Sequence, residues 1–247
     1  NKKVAEKMRQ SKERFVYRVH DQPDQEKLKN LQTVVKRLGY NLKLSSGQLN
    51  DSLNGLLKNA FGKNEQNLID TLMIRSMSKA EYTTKNIGHY GLSFENYTHI
   101  TSPIRRYPDV MVHRLIQAEI EGEKIKTEET ESLCKHSTHM EILATKAERD
   151  SIKLMQIKFM KDKEGKTFDA VISGVVARGV FVEVVENKCE GLVKAKDLPG
   201  DFYVHDEKNH RFVGEKTGKK FQLGDKTRVM LIKADQIKKR LDFQVLT

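Results

Sequence analysis

The sequence predicts an α+β chain in which a mainly helical part precedes a five-stranded antiparallel barrel. Up to about residue 160, apolar residues recur three or four positions apart, which is the spacing of helices that bury one face. From Lys161 onward, short runs alternate between apolar and polar residues and are separated by glycine. This second pattern is typical of short strands that are joined by tight turns.

The first part is predicted to hold one short strand and several helices. The strand covers 15–19, where Phe15, Val16 and Val19 favour extended backbone. Capping residues, glycine stops and apolar stripes place helices over 1–14, 24–39, from Ser46 through Leu57, 65–80, 107–122 and 127–160.

Five apolar, β-rich runs in the second part predict a small closed barrel. They cover 168–175, 179–184, 190–193, 226–232 and 240–246. The segment 199–225 is long for a barrel loop, and two interpretations of it stay open. Its Tyr203, His205 and Phe212 either form a surface on which planar ligands stack or pack the loop against itself.

Composition favours a polyanionic partner, because the net charge is +11 and the isoelectric point is near 9.4. From Gly165 onward the chain has 16 Lys and Arg against 12 Asp and Glu, so most of the excess charge belongs to the first part. Cys134 and Cys189 lie far apart, which predicts no disulfide and a reducing, cytoplasmic location. No apolar run is long enough for a membrane span.

The stretch 89–114 carries the strongest functional signal. Ser102-Pro103 and Tyr107-Pro108 both predict helix starts, because serine caps a helix and proline is tolerated in its first turn. Arg105 and Arg106 lie between these two signals. Forked guanidinium donors next to the free N–H groups of a helix terminus predict a site for a phosphate group.

Two residues of the following helix complete this pattern. Asp109 is placed to tether one of the arginines, and His113 follows one turn later on the same face. The alternative is a structural helix cap with paired surface charges. No metal site is predicted, because helical spacing brings only some of Cys134, His136, His139 and Glu141 to one face.

The stretch contains, in this order, His89, Gly91, Leu92, Tyr97, Thr101 to Tyr107, Asp109 and His113. In these residues it resembles the signature of the ribonuclease II and ribonuclease R family, known as the RNB domain. The segments 17–20 and 147–150 also resemble that family, and Ile100 departs from it where phenylalanine is usual, a conservative change in a buried apolar side chain.

The second part resembles the S1 domain, an RNA-binding barrel of the oligonucleotide-binding (OB-fold) type. The S1 stacking platform of two aromatic residues and a histidine is matched here by Arg178, Phe181 and Lys194, so only the phenylalanine is kept. We therefore expect RNA binding that depends strongly on charge and salt. The resemblance places further polar contacts at Asp235 and Arg240. The alternative for Phe181 is core packing.

The resemblance implies a processive 3′-to-5′ exoribonuclease that hydrolyses RNA to nucleoside 5′-monophosphates. It implies Arg105 as the catalytic arginine, and Mg²⁺ held by an aspartate cluster that these 247 residues do not contain. This polypeptide alone is therefore expected to be inactive. The further RNA-binding residues implied in the first part are Tyr97, His99, Ser102, Arg106 and His113.

The implied organisation is the C-terminal part of an RNB catalytic domain over 1–162, followed by an S1 domain over 163–247. The expected partner is single-stranded RNA, with structured RNA left open, and the expected state is a monomer without a membrane. The alternative function is a non-catalytic RNA-binding protein, or a fragment that lacks the metal-binding aspartates.

Overall fold

The structure is a computed structural model that describes residues 1–11, 14–45, 49–63, 65–123 and 128–246. The described chain divides into two compact units. Unit 1 comprises Asn1–Gln25 and Ser76–Ala147, and unit 2 comprises Glu26–Arg75 and Glu148–Thr247. The predicted division at 162/163 stays a prediction.

The helices of the described chain are α1 (Lys2–Gln10), α2 (Gln25–Arg37), α3 (Leu49–Ala60), α4 (Gln66–Ser76), α5 (Tyr107–Glu121) and α6 (Thr130–Met160). The strands are β1 (Tyr17–His20), β2 (Ala80–Thr83), β3 (Thr167–Val176), β4 (Gly179–Val184), β5 (Glu190–Lys194), β6 (Tyr203–Asp206), β7 (Arg211–Gly214), β8 (Lys220–Gln222), β9 (Lys226–Asp235) and β10 (Arg240–Val245). The α+β fold class is thereby confirmed.

Unit 1 is built around the antiparallel pair of β1 and β2, in which Tyr17 lies opposite Thr83. Its core combines apolar residues of α1, β1, α5 and α6. The helix predicted over 65–80 was too long, because it ends at Ser76 and the chain re-enters as β2 at Ala80. The predicted helix starts at Ser46 and Thr127 lie outside the described residues.

Unit 2 contains α2, α3 and α4 together with a closed barrel, whose strand order is β10-β5-β4-β3-β9. Four neighbouring pairs are antiparallel as predicted. The closing pair of β5 and β10 is parallel, with Asp242 opposite Leu192, which corrects the all-antiparallel expectation. An odd number of strands cannot close with every neighbour antiparallel, so one parallel pair is unavoidable.

The segment 199–225 folds as a three-stranded antiparallel sheet in the order β6-β7-β8. Its Tyr203 and Phe212 are buried in the same apolar cluster as the barrel core, and His205 stacks on Phe212 at 5.1 Å between ring centroids. Of the two interpretations, local packing is therefore the one that the structure supports. Two buried aromatic rings of this kind have no free face for a ligand.

Tight backbone contact marks the joint between β4 and β5. Gly179 has φ +149°, and a Cβ there would lie 2.1 Å from the carbonyl oxygen of Val193. No side chain fits in that space. Only glycine therefore lets β4 approach β5 at this position.

Cys134 and Cys189 are free and buried, each in a different unit. Burial, together with the smaller effect of the charge of Glu131, raises the pKa of Cys134 to about 12, and burial also raises the pKa of Cys189. Among the described residues, no helix is long and apolar enough to cross a bilayer.

Candidate nucleic-acid interface

The arginine pair lies in a turn that directly precedes α5. Helix α5 begins at Tyr107, with Pro108 in its first turn, as predicted. No helix begins at Ser102-Pro103. There the chain makes one turn, in which the Ser102 carbonyl accepts the N–H groups of Arg105 and Arg106 at 3.3 and 3.1 Å.

The reason that no helix begins at Ser102 is visible in its partners. Its backbone N–H donates to Asp109 Oδ1 at 2.8 Å, which ties the segment to the first turn of α5. The backbone of Arg106, the residue before α5, is extended at φ −130° and ψ +110°. The predicted cap at Ser102 is therefore corrected: Ser102 is held by α5 and does not cap a helix.

The two arginines have different surroundings. Arg106 Nη2 donates to Asp109 Oδ1 at 2.8 Å, and the Asp109 side chain is fully buried. The tether predicted for Asp109 therefore acts on Arg106. Arg105 is exposed, and its guanidinium has no hydrogen-bond or ion-pair partner among the described residues. The turn thus occupies one guanidinium internally and leaves the other available.

Tyr97 and His99, both predicted RNA contacts, lie within a cluster of rings. Tyr97 packs against His89, Phe94 and His99 at 5.3, 5.8 and 5.6 Å between centroids. The hydroxyl of Tyr97 accepts a hydrogen bond from Asn1 at 3.3 Å. These contacts give both side chains a packing role in unit 1.

His99 shares a 2.8 Å hydrogen bond with the hydroxyl of Tyr82, whose ring also contacts a salt-bridged arginine. Arg18 sits over the Tyr82 ring at 4.5 Å and binds both carboxylate oxygens of Glu141 at 2.7 and 3.0 Å. Burial, together with the smaller effect of the charges of Arg106 and Arg18, lowers the pKa of His99 to about 4. His99 is therefore neutral at neutral pH.

This depressed pKa predicts an acid-sensitive unit 1. Between pH 6.5 and about 4 the unfolded chain binds a proton at residue 99 that the folded chain does not, so stability falls as pH falls through that window. His99→Gln, which keeps an acceptor for Tyr82, is expected to flatten this dependence. Thermal melting at pH 7 and pH 5 measures it, and parallel losses in both proteins would contradict the role of His99.

The barrel brings four of its five predicted RNA-binding residues to one face. Phe181 is half-buried on β4, and the Arg178 guanidinium lies 5.6 Å from its ring centroid. Lys194 lies opposite Gly179 on β5. The half-buried state of Phe181 leaves part of its ring free, so core packing does not use the whole side chain.

Arg240 joins this face through a residue that the sequence reasoning missed. Asp242 lies 3.3 Å from Arg240 Nε and 3.9 Å from Lys194 Nζ, and so holds the two cations near one another. The sequence did contain a signal for Asp242, because residues two positions apart on a strand share a face and Asp242 follows Arg240 at that distance. A cleft of about 750 Å³ adjoins this face, and Leu192, Lys194, Arg240 and Asp242 are among its lining residues.

Asp235, the fifth predicted residue, is the last residue of β9 and lies directly opposite Arg240 on β10. Its carboxylate accepts the backbone N–H of Lys238 at 2.9 Å and lies 3.7 Å from Lys233. The Lys238 hydrogen bond, followed by the nearby lysine charges, lowers the pKa of Asp235. The carboxylate of Asp235 thus caps the turn that joins β9 to β10.

The described part of the chain offers no ligand set for a metal. There, no group of three or more His, Cys, Asp or Glu side chains is arranged to hold a metal ion. The carboxylate Asp109 is already engaged by Ser102 and Arg106. These residues do not fit a two-metal site, so no chemical step is assigned to a metal here.

Comparison with known proteins identifies two domain families in the chain. The RNB domain family matches residues 1–122, and the S1 RNA binding domain family matches residues 161–246. Ribonuclease R of Aquifex aeolicus is 42% identical over 235 residues, which cover 94% of this chain and 33% of that protein. The chain spans about a third of the length of the curated relatives it matches.

Solved structures of Mycoplasma genitalium RNase R are similar to this chain over its whole length, and the similar part makes up 40% of their own chains. The complex with ribose methylated single-stranded RNA has a TM-score of 0.88 at 29% identity, and the complex with double-stranded RNA has 0.74 at 25%. The chain therefore belongs to the class of proteins in which an RNB segment is followed by an S1 RNA binding domain. The chain belongs to the ribonuclease R family.

Proposed function

We propose that the intact protein containing this chain is a processive 3′-to-5′ exoribonuclease that hydrolyses RNA to nucleoside 5′-monophosphates. The observation that carries the proposal is the division of the arginine pair. Arg106 is bound to the buried Asp109, whereas Arg105 is exposed without a described partner, on a turn matched by the RNB family. Arg105 is the residue available for a phosphodiester.

The chemistry assigned to Arg105 is electrostatic. A guanidinium presents parallel N–H donors to two phosphate oxygens and stabilises the charge that develops on them in the transition state. The turn keeps the cation close to the N-terminus of α5, whose N–H groups add partial positive charge. Arg105 therefore binds and orients the scissile phosphate, and Arg106 holds the turn.

The remaining requirements lie partly outside this sequence. Bound Mg²⁺ would supply the positive charge for activating water and for stabilising the leaving oxygen, and none of the described residues is assigned as its ligand. In this enzyme the RNB part covers 1–162 and the S1 part covers 163–247. The intact protein is a monomer and is located in the cytoplasm. Single-stranded RNA is the substrate, and structured RNA is a further binding partner, in line with the single-stranded and double-stranded RNA complexes of Mycoplasma genitalium RNase R.

The test compares this polypeptide with the full-length protein on single-stranded RNA that is labelled along its whole length, in the presence of Mg²⁺. Release of nucleoside monophosphates by the full-length protein alone is the expected result. Binding of RNA by both, with no release by either, would favour the non-catalytic alternative. Shortened intermediates that accumulate at internal positions would contradict processive removal from the 3′ end.

Phe181→Ala is expected to weaken single-stranded RNA binding by about 1–3 kcal/mol, because one stacked base loses its aromatic partner. Fluorescence anisotropy of a labelled oligonucleotide with this polypeptide measures the change. Phe202→Ala is the matched control, since Phe202 is 70% exposed on the segment before β6. Equal effects of both substitutions would argue against a stacking role for Phe181.

A further inference from the structure

The segment that carries Arg105 is held in place by side chains. Residues 97–106 form no helix or strand, so their backbone groups lack regular partners. The Ile100 N–H donates to Asn1 Oδ1 at 3.1 Å, and the Ile100 carbonyl accepts from His113 Nε2 at 2.9 Å. The Ser102 N–H donates to Asp109 Oδ1 at 2.8 Å. The backbone is therefore fixed on both sides of Thr101.

Helix α5 supplies two of these three contacts. Asp109 and His113 are four residues apart and so share one face of the helix. One presents an acceptor to a backbone N–H, and the other presents a donor to a backbone carbonyl. Because a carbonyl oxygen only accepts, His113 Nε2 carries the proton in this contact.

This geometry gives His113 a role within the protein that the sequence did not suggest. Its Nε2–H is used by the Ile100 carbonyl, so that proton is not offered to RNA while the contact lasts. Asp109 is likewise used twice, by Ser102 and by Arg106. Both side chains act on the segment that ends at Arg105 and Arg106.

We infer that Asp109 and His113 are positioning residues that fix the turn from Ile100 to Arg106 on α5 and thereby orient the Arg105 guanidinium toward the scissile phosphate. The inference rests on the proposed role of Arg105. A catalytic group has to be placed within a fraction of an ångström, and a displacement of about 1 Å can cost about 100-fold in rate. Loss of either contact frees the turn without removing the guanidinium.

The experiment is a double-mutant cycle in the full-length enzyme, measured as single-turnover cleavage of labelled RNA. His113→Ala and Asp109→Asn are made singly and in combination with Arg105→Ala. His113→Ala is expected to lower the cleavage rate by about 10-fold or more, with RNA affinity nearly unchanged. In the Arg105→Ala background the same change is expected to cost less than about 2-fold, because the group that it positions is gone.

The controls separate positioning from simple structural damage. His113→Gln, which keeps a donor for the Ile100 carbonyl, is expected to restore most of the rate. Gln117→Ala removes a side chain one turn further along the same face and is expected to leave the rate unchanged. Thermal melting shows which variants fold, and if Asp109→Asn does not fold, the His113 cycle decides the inference.

Three outcomes would overturn the inference, and they are distinguishable. Multiplicative losses in the double mutants would show that His113 acts independently of Arg105. A weakened RNA affinity with an unchanged cleavage rate would make His113 an RNA contact. A normal rate for Arg105→Ala alone would remove the proposed catalytic role, whatever the result for His113.

Discussion

Replacing Arg105 with alanine in the full-length enzyme is expected to lower turnover by about 100-fold or more, the usual cost of removing a donor that stabilises transition-state charge. RNA affinity is expected to stay within a few-fold of its original value, since the S1 barrel and the other basic residues still bind the strand. The measurement is the rate of monophosphate release at saturating RNA, together with the equilibrium affinity in the absence of divalent cations.

Two further variants separate the loss of positive charge from the loss of the forked guanidinium donors. Arg105→Lys keeps the charge and loses the forked pair of donors, so an intermediate rate is expected. Arg114→Ala removes an exposed arginine from α5 and controls for the loss of positive charge near the turn. Turnover of Arg105→Ala near that of Arg114→Ala would refute the catalytic assignment.

Gly179→Ala is expected to destabilise unit 2 by about 3 kcal/mol or more, the largest effect on stability that we predict. The added Cβ would lie 2.1 Å from the Val193 carbonyl oxygen and 2.9 Å from both Lys194 Cα and the Ala195 nitrogen. All three are backbone atoms, so no side chain can move aside. The strand pair has to separate, and the backbone at φ +149° is strained as well.

Urea unfolding of this polypeptide, followed by far-UV circular dichroism, measures the loss. Gly200→Ala is the matched control, because Gly200 has φ +89° and a Cβ added there would meet no atom within 4 Å, so only the backbone strain of about 1–2 kcal/mol applies. RNA affinity should fall with Gly179→Ala as well, since Arg178 and Lys194 flank the joint. Equal unfolding midpoints for the two variants would contradict the contact argument.

Much of the fold could be predicted, because long periodic segments carry their own signal. The α5 start at Tyr107 and the five barrel strands follow from local patterns. The errors occur where residues that are distant in the sequence determine the local secondary structure. Ala80 continues an apolar helical pattern, yet it becomes β2 because β1, some sixty residues earlier in the chain, pairs with it.

The sheet of β6, β7 and β8 could not be predicted for a related reason. Strands of three or four residues are too short for a period to show, and this segment is rich in charge. What stabilises it is partly a single carboxylate. Asp201 accepts the N–H and the hydroxyl of Thr217, both at 2.7 Å, and the N–H of Lys216 at 3.0 Å. The two bonds from Thr217 contribute most to lowering its pKa to about 2.

The candidate site shows the same division between local and distant information. The residue types for phosphate binding are evident in sequence, and so is a tether at Asp109. The sequence could not show which arginine the tether engages, because both lie within reach of the first turn of α5. It also could not show that His113 contacts the Ile100 carbonyl, since that contact depends on how the chain folds back on the helix.

The two buried thiols have a practical consequence for spectroscopy. A thiol must ionise to react with a maleimide, and the raised pKa values of Cys134 and Cys189 keep both protonated and shielded at neutral pH. A single introduced cysteine can therefore be labelled selectively in the otherwise unaltered chain. Ile237→Cys, at a site 95% exposed in the turn between β9 and β10, would carry a dye beside the barrel face. Its emission could then follow the arrival of an oligonucleotide in real time.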